Sequence, residues 1–204
     1  MNTWDERYNI EEYRYGETPN LFFKEVISTL PAGKILLPAD GEGRNAVYAA
    51  TRGWTVDAFD QSQQAKEKAL QLAEKNKVNI SYKVIDIEHV RENYTANSYD
   101  AIVLTYVHLP ERVKEKYHRE LLSLLKIGGC IIIEGFGKNH VKYQQQNSMA
   151  GGPPCVDMLY SKDEILSIFD SLEIVLIEEK DITLSEGVGH NGNASVIRFV
   201  GRKV

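Results

Sequence analysis

Two glycines and an aspartate carry the clearest chemical signal in this sequence. The stretch from Ile35 to Ala46 is typical of a strand that passes into a helix through Gly41 and Gly43. Such a turn presents free backbone N–H groups and lets a ligand approach without a Cβ in the way. Asp60 closes the next apolar run, at a place where a carboxylate can accept hydrogen bonds from both hydroxyls of a ribose. The pairing predicts a site for a nucleoside cofactor.

Each half of that signal also has another explanation. A glycine turn can be only a tight turn, and Asp60 could cap the helix that follows, although Ser62 can do the same. The residues from Gly41 to Ala46 also satisfy the Gly-x-Gly-x-x-Ala form of the dinucleotide fingerprint, so NAD is a competing cofactor. Against NAD, the chain is predicted to end in a hairpin where a second mononucleotide-binding half would be needed.

Two histidines are candidates for removing a proton from an acceptor or stabilising an anion. His108 directly follows the fourth predicted strand, and His190 lies in a predicted loop near the C-terminus. Arg44 and Arg14 could meet an anionic group. The other histidines are expected to be structural, because their segments carry no further site signal; they are His89, His118 and His140.

The elements that must position these groups alternate along the chain. From Lys34 onward, short β-branched apolar runs alternate with amphipathic segments, which is typical of parallel strands joined by crossover helices. Strands are predicted at 35–37, 55–59, 80–85, 101–106 and 130–134, with helices at 63–75 and 113–125. The expected fold class is α/β, a doubly wound and mostly parallel sheet with helices on both faces.

Both ends of the chain depart from this alternation. After a predicted helix at 161–169, strand-like runs at 173–182 and 194–200 are joined by a connection too short for a crossover helix. They should therefore pair antiparallel as a C-terminal hairpin, which brings the sheet to seven strands. At the other end, 4–20 is rich in Tyr, Arg and Glu and leads into a predicted helix at 21–30.

Composition and charge exclude several classes of protein. With 204 residues, of which 43% are hydrophobic and 26% charged, the chain should fold as one domain. The formal net charge of −5 argues against nucleic acid as a partner. No apolar run is long enough to cross a membrane and no signal peptide is recognisable, which predicts a cytoplasmic location. Cys130 and Cys155 are isolated, and no residue spacing is typical of a metal site.

With these residues in place, the sequence resembles the class I S-adenosylmethionine-dependent methyltransferases, and within them the branch of the tellurite-resistance and thiopurine methyltransferases. The matching motifs are Trp4-Asp5-Glu6-Arg7-Tyr8 with Tyr13 and Tyr15-Gly16, then Gly41-Glu42-Gly43-Arg44-Asn45-Ala46, Asp60-Gln61-Ser62, Lys126-Ile127-Gly128-Gly129 and Gly151-Gly152-Pro153. The resemblance implies a Rossmann-like sheet of seven strands and S-adenosyl-L-methionine as cofactor. It also implies a small-molecule methyl acceptor such as a thiol, selenium or tellurium compound.

Carried over by position, the resemblance also implies a set of cofactor-binding residues. They are Tyr15, Asp40, Gly41, Gly43, Arg44, Asn45, Asp60, Gln61, Asp86, Ile87 and Thr105. The glycine loop would hold the methionine part, Asp60 the ribose, and Asp86 with Ile87 the adenine. Thr105 and Tyr106 would lie beneath the sulfonium. The class commonly has an acid and a glycine where this chain has Leu37 and Ala39, and Asp40 could supply the missing carboxylate.

The resemblance divides the single methyltransferase domain, 1–204, into three parts. Residues 1–30 would form an aromatic lid segment and a helix, 34–136 the cofactor-binding core, and 137–204 a substrate-side loop, a helix and the hairpin. In this interpretation His108 and His190 are the candidate catalytic residues. Two alternatives stay open, an NAD-dependent oxidoreductase and a regulator that binds S-adenosylmethionine without catalysis, and both a monomer and a homodimer fit the sequence.

Overall fold

A seven-stranded sheet organises the chain in a computed structural model that describes residues 3–204, except for the side chains of Thr3 and Ser148. Met1 and Asn2, the start of the predicted lid segment, lie outside the described residues. The strands are β1 (Lys34–Pro38), β2 (Thr55–Asp60), β3 (Ser81–Val84), β4 (Tyr99–Thr105), β5 (Leu125–Phe136), β6 (Leu172–Glu186) and β7 (His190–Lys203). Their order is β3-β2-β1-β4-β5-β7-β6, and β7 runs antiparallel to both of its neighbours. The predicted fold class is confirmed.

Helices cover both faces of this sheet. They are α1 (Thr3–Tyr8), α2 (Leu21–Ile27), α3 (Arg44–Thr51), α4 (Gln63–Lys75), α5 (Val90–Asn93), α6 (Glu111–Leu124), α7 (Val141–Gln146) and α8 (Lys162–Ile168). Among the described residues, no helix is long and apolar enough to span a membrane.

The central strand β4 shows why the sheet needs helices on both sides. Ile102 and Leu104 belong to the apolar core on one face, whereas Ala101 and Val103 belong to the core on the other. Successive side chains of a strand point to opposite faces, so a strand buried on both faces is apolar at every position. This is the reason why β4 could be recognised as a short, continuous apolar run.

The hairpin at the C-terminus is longer than the sequence predicts. The strands β6 and β7 pair all the way to Glu186 and His190, so the predicted connection shrinks to the three residues 187–189. Gly187 supplies the left-handed conformation of this turn, with a φ of 57°. The Gly-, Ser- and Asn-rich composition suggested a long loop, but cross-strand pairing extends through it. His190 therefore stands at the first position of a strand opposite Glu186.

Gly43 allows the first two crossover helices to pack closely. Its φ is 85°, and a Cβ built on it would lie 2.5 Å from the Cβ of Ala69 in α4. An L-residue side chain would therefore both strain the backbone and collide with a neighbouring helix. The glycine at this position is needed for the packing of α3 against α4.

Gly43→Ala should lower the free energy of unfolding more than Gly128→Ala. Gly128 has a similar φ of 81°, but no atom lies within 4 Å of the position that an added methyl group would take, so its substitution costs only the backbone strain. Overpacking at Gly43 should add roughly 1–3 kcal/mol to that strain. Urea denaturation of the two variants measures the difference. Equal losses would show that the contact with Ala69 is relieved at no cost.

Candidate functional site

A cavity of about 930 Å³ opens at the carboxyl ends of the parallel strands. Open α/β sheets place their ligand sites at this edge, and the volume is in the range of small-molecule and cofactor pockets. All of the predicted site residues except Gly43 line it: Tyr15, Asp40, Gly41, Arg44, Asn45, Asp60, Gln61, Asp86, Ile87, Thr105, His108 and His190. The structure thus brings together residues that are widely spaced in the sequence.

The glycine loop forms one wall of this cavity. Ala39 has a φ of 49° and Gly41 a φ of 58°, so the chain turns sharply after β1. Ala39 thus keeps the left-handed conformation that a glycine would favour at this position. A Cβ on Gly41 would lie 2.6 Å from the hydroxyl oxygen of Tyr8, which places this loop directly against α1. The Oδ2 of Asp40 accepts a hydrogen bond from the backbone N–H of Ala46 (3.1 Å) and so ties the loop to α3.

Asp60 joins the glycine loop to the loop that follows β2. Its Oδ2 accepts from the N–H of Gly41 (3.1 Å), and its Oδ1 accepts from the N–H of Ser62 (3.0 Å). The cap of α4 is Ser62, whose hydroxyl accepts from the N–H of Ala65 (3.1 Å), so the helix-capping explanation of Asp60 is wrong. Each carboxylate oxygen has two lone pairs and can still accept a further hydrogen bond from a ligand.

Burial sets the protonation of the two acids at this wall. It raises the pKa of Asp60 to about 6 and that of Asp40 to about 7, although backbone N–H donors act in the opposite direction. A ligand that donates hydrogen bonds to Asp60 would favour its ionised form. Both carboxylates are therefore poised to respond to a bound polar group.

The wall beyond β3 is more apolar and more open. Ile85 and Ile87 pack partly against the core and line the cavity. Asp86 between them is exposed, and its Oδ1 accepts from the N–H of Glu88 (3.2 Å). This wall can pack against a flat apolar ring and offers one carboxylate at its edge.

His190 faces the same cavity from the hairpin. Its Nδ1 lies 3.1 Å from the Oε2 of Glu186, and that oxygen also accepts from the Nη2 of Arg44 (2.9 Å). Although burial opposes ionisation, the hydrogen bonds from His190 and Arg44 lower the pKa of Glu186 to about 2. Burial lowers the pKa of His190, against the effect of Glu186. The result is a neutral imidazole whose Nδ1 is held by a carboxylate, the arrangement that orients a histidine base.

A second buried carboxylate, Glu134 at the end of β5, extends this network. Its Oε1 accepts from the amide of Asn20 (2.6 Å) and from the hydroxyl of Tyr106 (3.0 Å), and its Oε2 accepts from the Nε of Arg198 (2.6 Å). The ring of Tyr106 in turn lies 4.5 Å from that of His190. Glu134 and Glu186 were not predicted from the sequence as site residues. An acid that ends an apolar run was the available signal for Glu134.

His108 has a different environment from the one expected. Its Nδ1 lies 3.0 Å from the carbonyl oxygen of Met158, and its Nε2 accepts from the N–H of Phe136 (3.1 Å). Burial lowers its pKa to about 3, so the ring is neutral and its one lone pair is already engaged. This geometry argues against the predicted role of His108 in proton removal. The residue instead holds the loop before Leu159 against β5.

The N-terminal aromatic residues divide into two groups. Trp4, Tyr8 and Tyr15 line the cavity, and the ring of Tyr15 lies 4.4 Å from that of His190. Tyr13 instead donates its hydroxyl to the carbonyl of Lys68 (3.0 Å) in α4. The segment therefore both covers the cavity and docks on the body. Within residues 3–204, no group of three or more His, Cys, Asp and Glu residues is arranged to hold a metal ion.

Asp60→Asn should gain stability relative to the wild type as the pH rises. The pKa of Asp60 is about 6 in the folded protein and ordinarily 3.8, so the stability that its protonated form contributes is complete below about pH 4 and is lost as the pH rises through 6. This difference between the folded and the ordinary pKa corresponds to a change of about 3 kcal/mol in the free energy of unfolding, at 1.36 kcal/mol per pKa unit. Urea unfolding of both proteins between pH 4 and 8 measures it. Parallel stability curves would contradict the raised pKa.

Comparison with known protein families gives one match within the chain. Residues 35–129, from β1 into β5, match the family model described as a methyltransferase domain. The matched region includes the glycine loop, Asp60 and the wall beyond β3. A search of curated proteins found no match.

Solved structures share the fold at low sequence identity. A protein studied for the conversion of a disulfide bond into a thioacetal group during echinomycin biosynthesis superposes with a TM-score of 0.77 at 16% identity, over 95% of this chain and 85% of that one. TehB from Haemophilus influenzae superposes with a TM-score of 0.74 at 19% identity, over 98% of this chain and 66% of that one. A SAM-dependent methyltransferase from Methanosarcina mazei superposes with a TM-score of 0.67 at 16% identity, over 88% of this chain and 97% of that one. At such identities the likeness concerns the fold.

Proposed function

We propose that this chain, which carries a class I S-adenosylmethionine-dependent methyltransferase domain, transfers the methyl group to a small molecule with a soft nucleophile such as a thiol. S-adenosylmethionine, and not NAD, is the cofactor of this domain. The observation that carries the proposal is the position of His190, held by Glu186 at 3.1 Å, in the same cavity as the glycine loop and Asp60. A candidate base and a candidate nucleoside site thus share one enclosed space.

The cavity walls fit the parts of this cofactor. The loop at Gly41 lines the cavity where the methionine part can lie, and Asp60 has lone pairs left for the ribose hydroxyls. Ile85 and Ile87 suit the flat adenine, and Asp86 can accept from its amino group. When bound, S-adenosylmethionine supplies a methyl carbon activated by a positively charged sulfur.

Aromatic side chains surround the place where that positive charge would lie. The rings of Tyr15 and Tyr106 both contact the ring of His190, with centroids 4.4 and 4.5 Å away. Electron-rich ring faces attract cations, and a closed aromatic wall excludes water from a displacement reaction. Tyr106 is fixed in this position by its bond to Glu134 and adopts a φ of 54°, a conformation that few non-glycine residues accept. Thr105 lies directly before it at the end of β4.

The remaining wall is suited to a small apolar acceptor. It is built from apolar side chains and a glycine- and proline-rich loop: Phe136, Met149, Pro153, Pro154, Met158 and Val188. The Nε2 of His190 faces this loop, because a Cβ on Gly151 would lie 3.2 Å from it. With Nδ1 donating to Glu186, Nε2 keeps a lone pair that can accept the proton of a thiol. Glu186 then stabilises the resulting imidazolium.

His190→Gln should lower kcat for a thiol acceptor by about 10²–10⁴, the usual contribution of general base catalysis, and leave the affinity for S-adenosylhomocysteine nearly unchanged. Release of S-adenosylhomocysteine from S-adenosylmethionine and a series of thiols measures the effect. The defect should shrink for thiols acidic enough to be ionised at the assay pH, because they need no base. A defect of equal size for all thiols would point to a structural role of His190. No turnover by the wild type with any thiol would refute the proposed acceptor.

Asp60→Ala should remove the ability to recognise the ribose. Hydrogen bonds to an ionised partner contribute roughly 1.5–3 kcal/mol each, so the affinity for S-adenosylhomocysteine should fall at least about tenfold. The wild type should bind the 2′-deoxy analogue more weakly than S-adenosylhomocysteine, and the variant should not distinguish the two ligands in calorimetric titration.

Ser62→Ala serves as the control for helix stability. It removes the hydroxyl that accepts from Ala65, so it should lower the melting temperature while affinity and ribose discrimination stay near normal. Because Asp60 also bridges two loops, Asp60→Ala should lose stability too, and the ligand comparison separates the two effects. If the variant still discriminated between the two ligands, Asp60 would not bind the ribose.

A further inference from the structure

Three arginines on the cavity wall make no ion pair with an acidic residue. In the part of the chain that the structure describes, the ion pairs made by arginines belong to Arg44, Arg119, Arg198 and Arg202. Arg7, Arg14 and the exposed Arg112 line the cavity and make none. The Nε of Arg14 is buried without a hydrogen-bond partner. Since an unsatisfied buried donor is costly, this atom suggests that a ligand group is missing from its surroundings.

The backbone of Arg14 is held from both sides of the cavity. Its N–H donates to the Oε2 of Glu42 in the glycine loop (2.7 Å), and its carbonyl accepts from the N–H of Gly189 in the hairpin turn (2.9 Å). Its side chain packs beside Gly189, where a Cβ would lie 3.2 Å from its Cγ. The backbone of Arg14 is thus anchored between the glycine loop and the hairpin that carries His190.

Arg7 and Arg14 act on the same hydroxyl group. Burial raises the pKa of Tyr15, and a hydrogen bond from Arg14 and the charges of Arg14 and Arg7 oppose that rise. Arg7 also lies over the ring of Trp4, with 4.8 Å from its guanidinium carbon to the ring centroid. Two cationic groups and one hydroxyl therefore converge on one part of the wall.

We propose that Arg7, Arg14 and Tyr15 form a subsite that binds a carboxylate of a ligand. A guanidinium presents its donors in a planar fork that matches the two oxygens of a carboxylate. Glu42, which accepts from the backbone N–H of Arg14, does not fill this role, because its other carboxylate oxygen is paired with Lys68 (2.6 Å). The inference rests on the proposed function, since it assumes that the cavity takes a methyl donor and an acceptor.

The carboxylate can come from the methyl donor or from the acceptor. The contact between Tyr8 and the loop at Gly41 places Arg7, its neighbour in the chain, close to the proposed methionine part of the donor. The contact between Tyr15 and His190 places Arg14 close to the proposed acceptor. Both ligands would offer the same chemical group, and the two sources can be separated by experiment.

Arg14→Gln should weaken the binding of a ligand that has a carboxylate and spare one that lacks it. The matched pair for the donor is S-adenosylhomocysteine and 5′-methylthioadenosine, with affinities from calorimetric titration. The pair for the acceptor is mercaptoacetate and 2-mercaptoethanol, with KM from S-adenosylhomocysteine release. If affinity falls at least about tenfold for S-adenosylhomocysteine but not for 5′-methylthioadenosine, the subsite binds the donor. If KM rises at least about tenfold for mercaptoacetate but not for 2-mercaptoethanol, the subsite binds the acceptor. Arg7→Gln should affect the same pair.

Arg91→Gln is the control, because Arg91 is an exposed arginine that does not line the cavity. It should change neither the affinity ratio within the donor pair nor the KM ratio within the acceptor pair. If Arg14→Gln leaves both ratios unchanged in a protein that still binds 5′-methylthioadenosine, the carboxylate subsite is refuted. If the wild type binds neither nucleoside, the proposed function itself fails, so the two failures are distinguishable.

Discussion

The buried ion pair between Arg44 and Glu186 joins the helix after the glycine loop to the C-terminal hairpin. Their side chains are about one-tenth exposed, and the shared oxygen also holds His190. A buried charge is tolerated only with a close opposite charge and satisfied hydrogen bonds, so neither side chain can be removed without leaving the other unpaired. The Nη1 of Arg44 meets this requirement by donating to the carbonyl of Tyr15 (3.1 Å). Three segments from distant parts of the chain are thus fixed around one point.

A second buried ion pair, between Glu134 and Arg198, is connected to the first. Glu134 and Arg198 lie across neighbouring strands, and Asn20 connects the two carboxylates by donating to Glu134 (2.6 Å) and Glu186 (3.3 Å). The two acids and two guanidiniums together carry no net charge. This neutrality lets a buried polar network lie beside the cavity, and the network fixes the orientation of Tyr106 as well as that of His190.

The site also contains groups that work against stability. Asp40 and Asp60 carry raised pKa values because they are buried, and Ala39 and Tyr106 adopt left-handed backbone conformations at the ends of β1 and β4. Strain of this kind persists where the surrounding structure over-determines it and is found mainly at functional sites. Here all four residues line the same cavity. We infer that the rigid sheet and the charge network maintain these positions for ligand binding.

The strands, most of the helices, the glycine loop and the place of Asp60 could be predicted from the sequence, because hydrophobic periodicity, apolar runs and turn residues are local properties. The contacts of each polar group depend on the tertiary structure. His108 and His190 were both candidates in the sequence, but His108 is bound on both ring nitrogens by Met158 and Phe136, whereas His190 is paired with Glu186 through the hairpin register. Hydrogen-bond partners come from segments that are brought together by folding, so the sequence alone could not show the different environments of the two histidines.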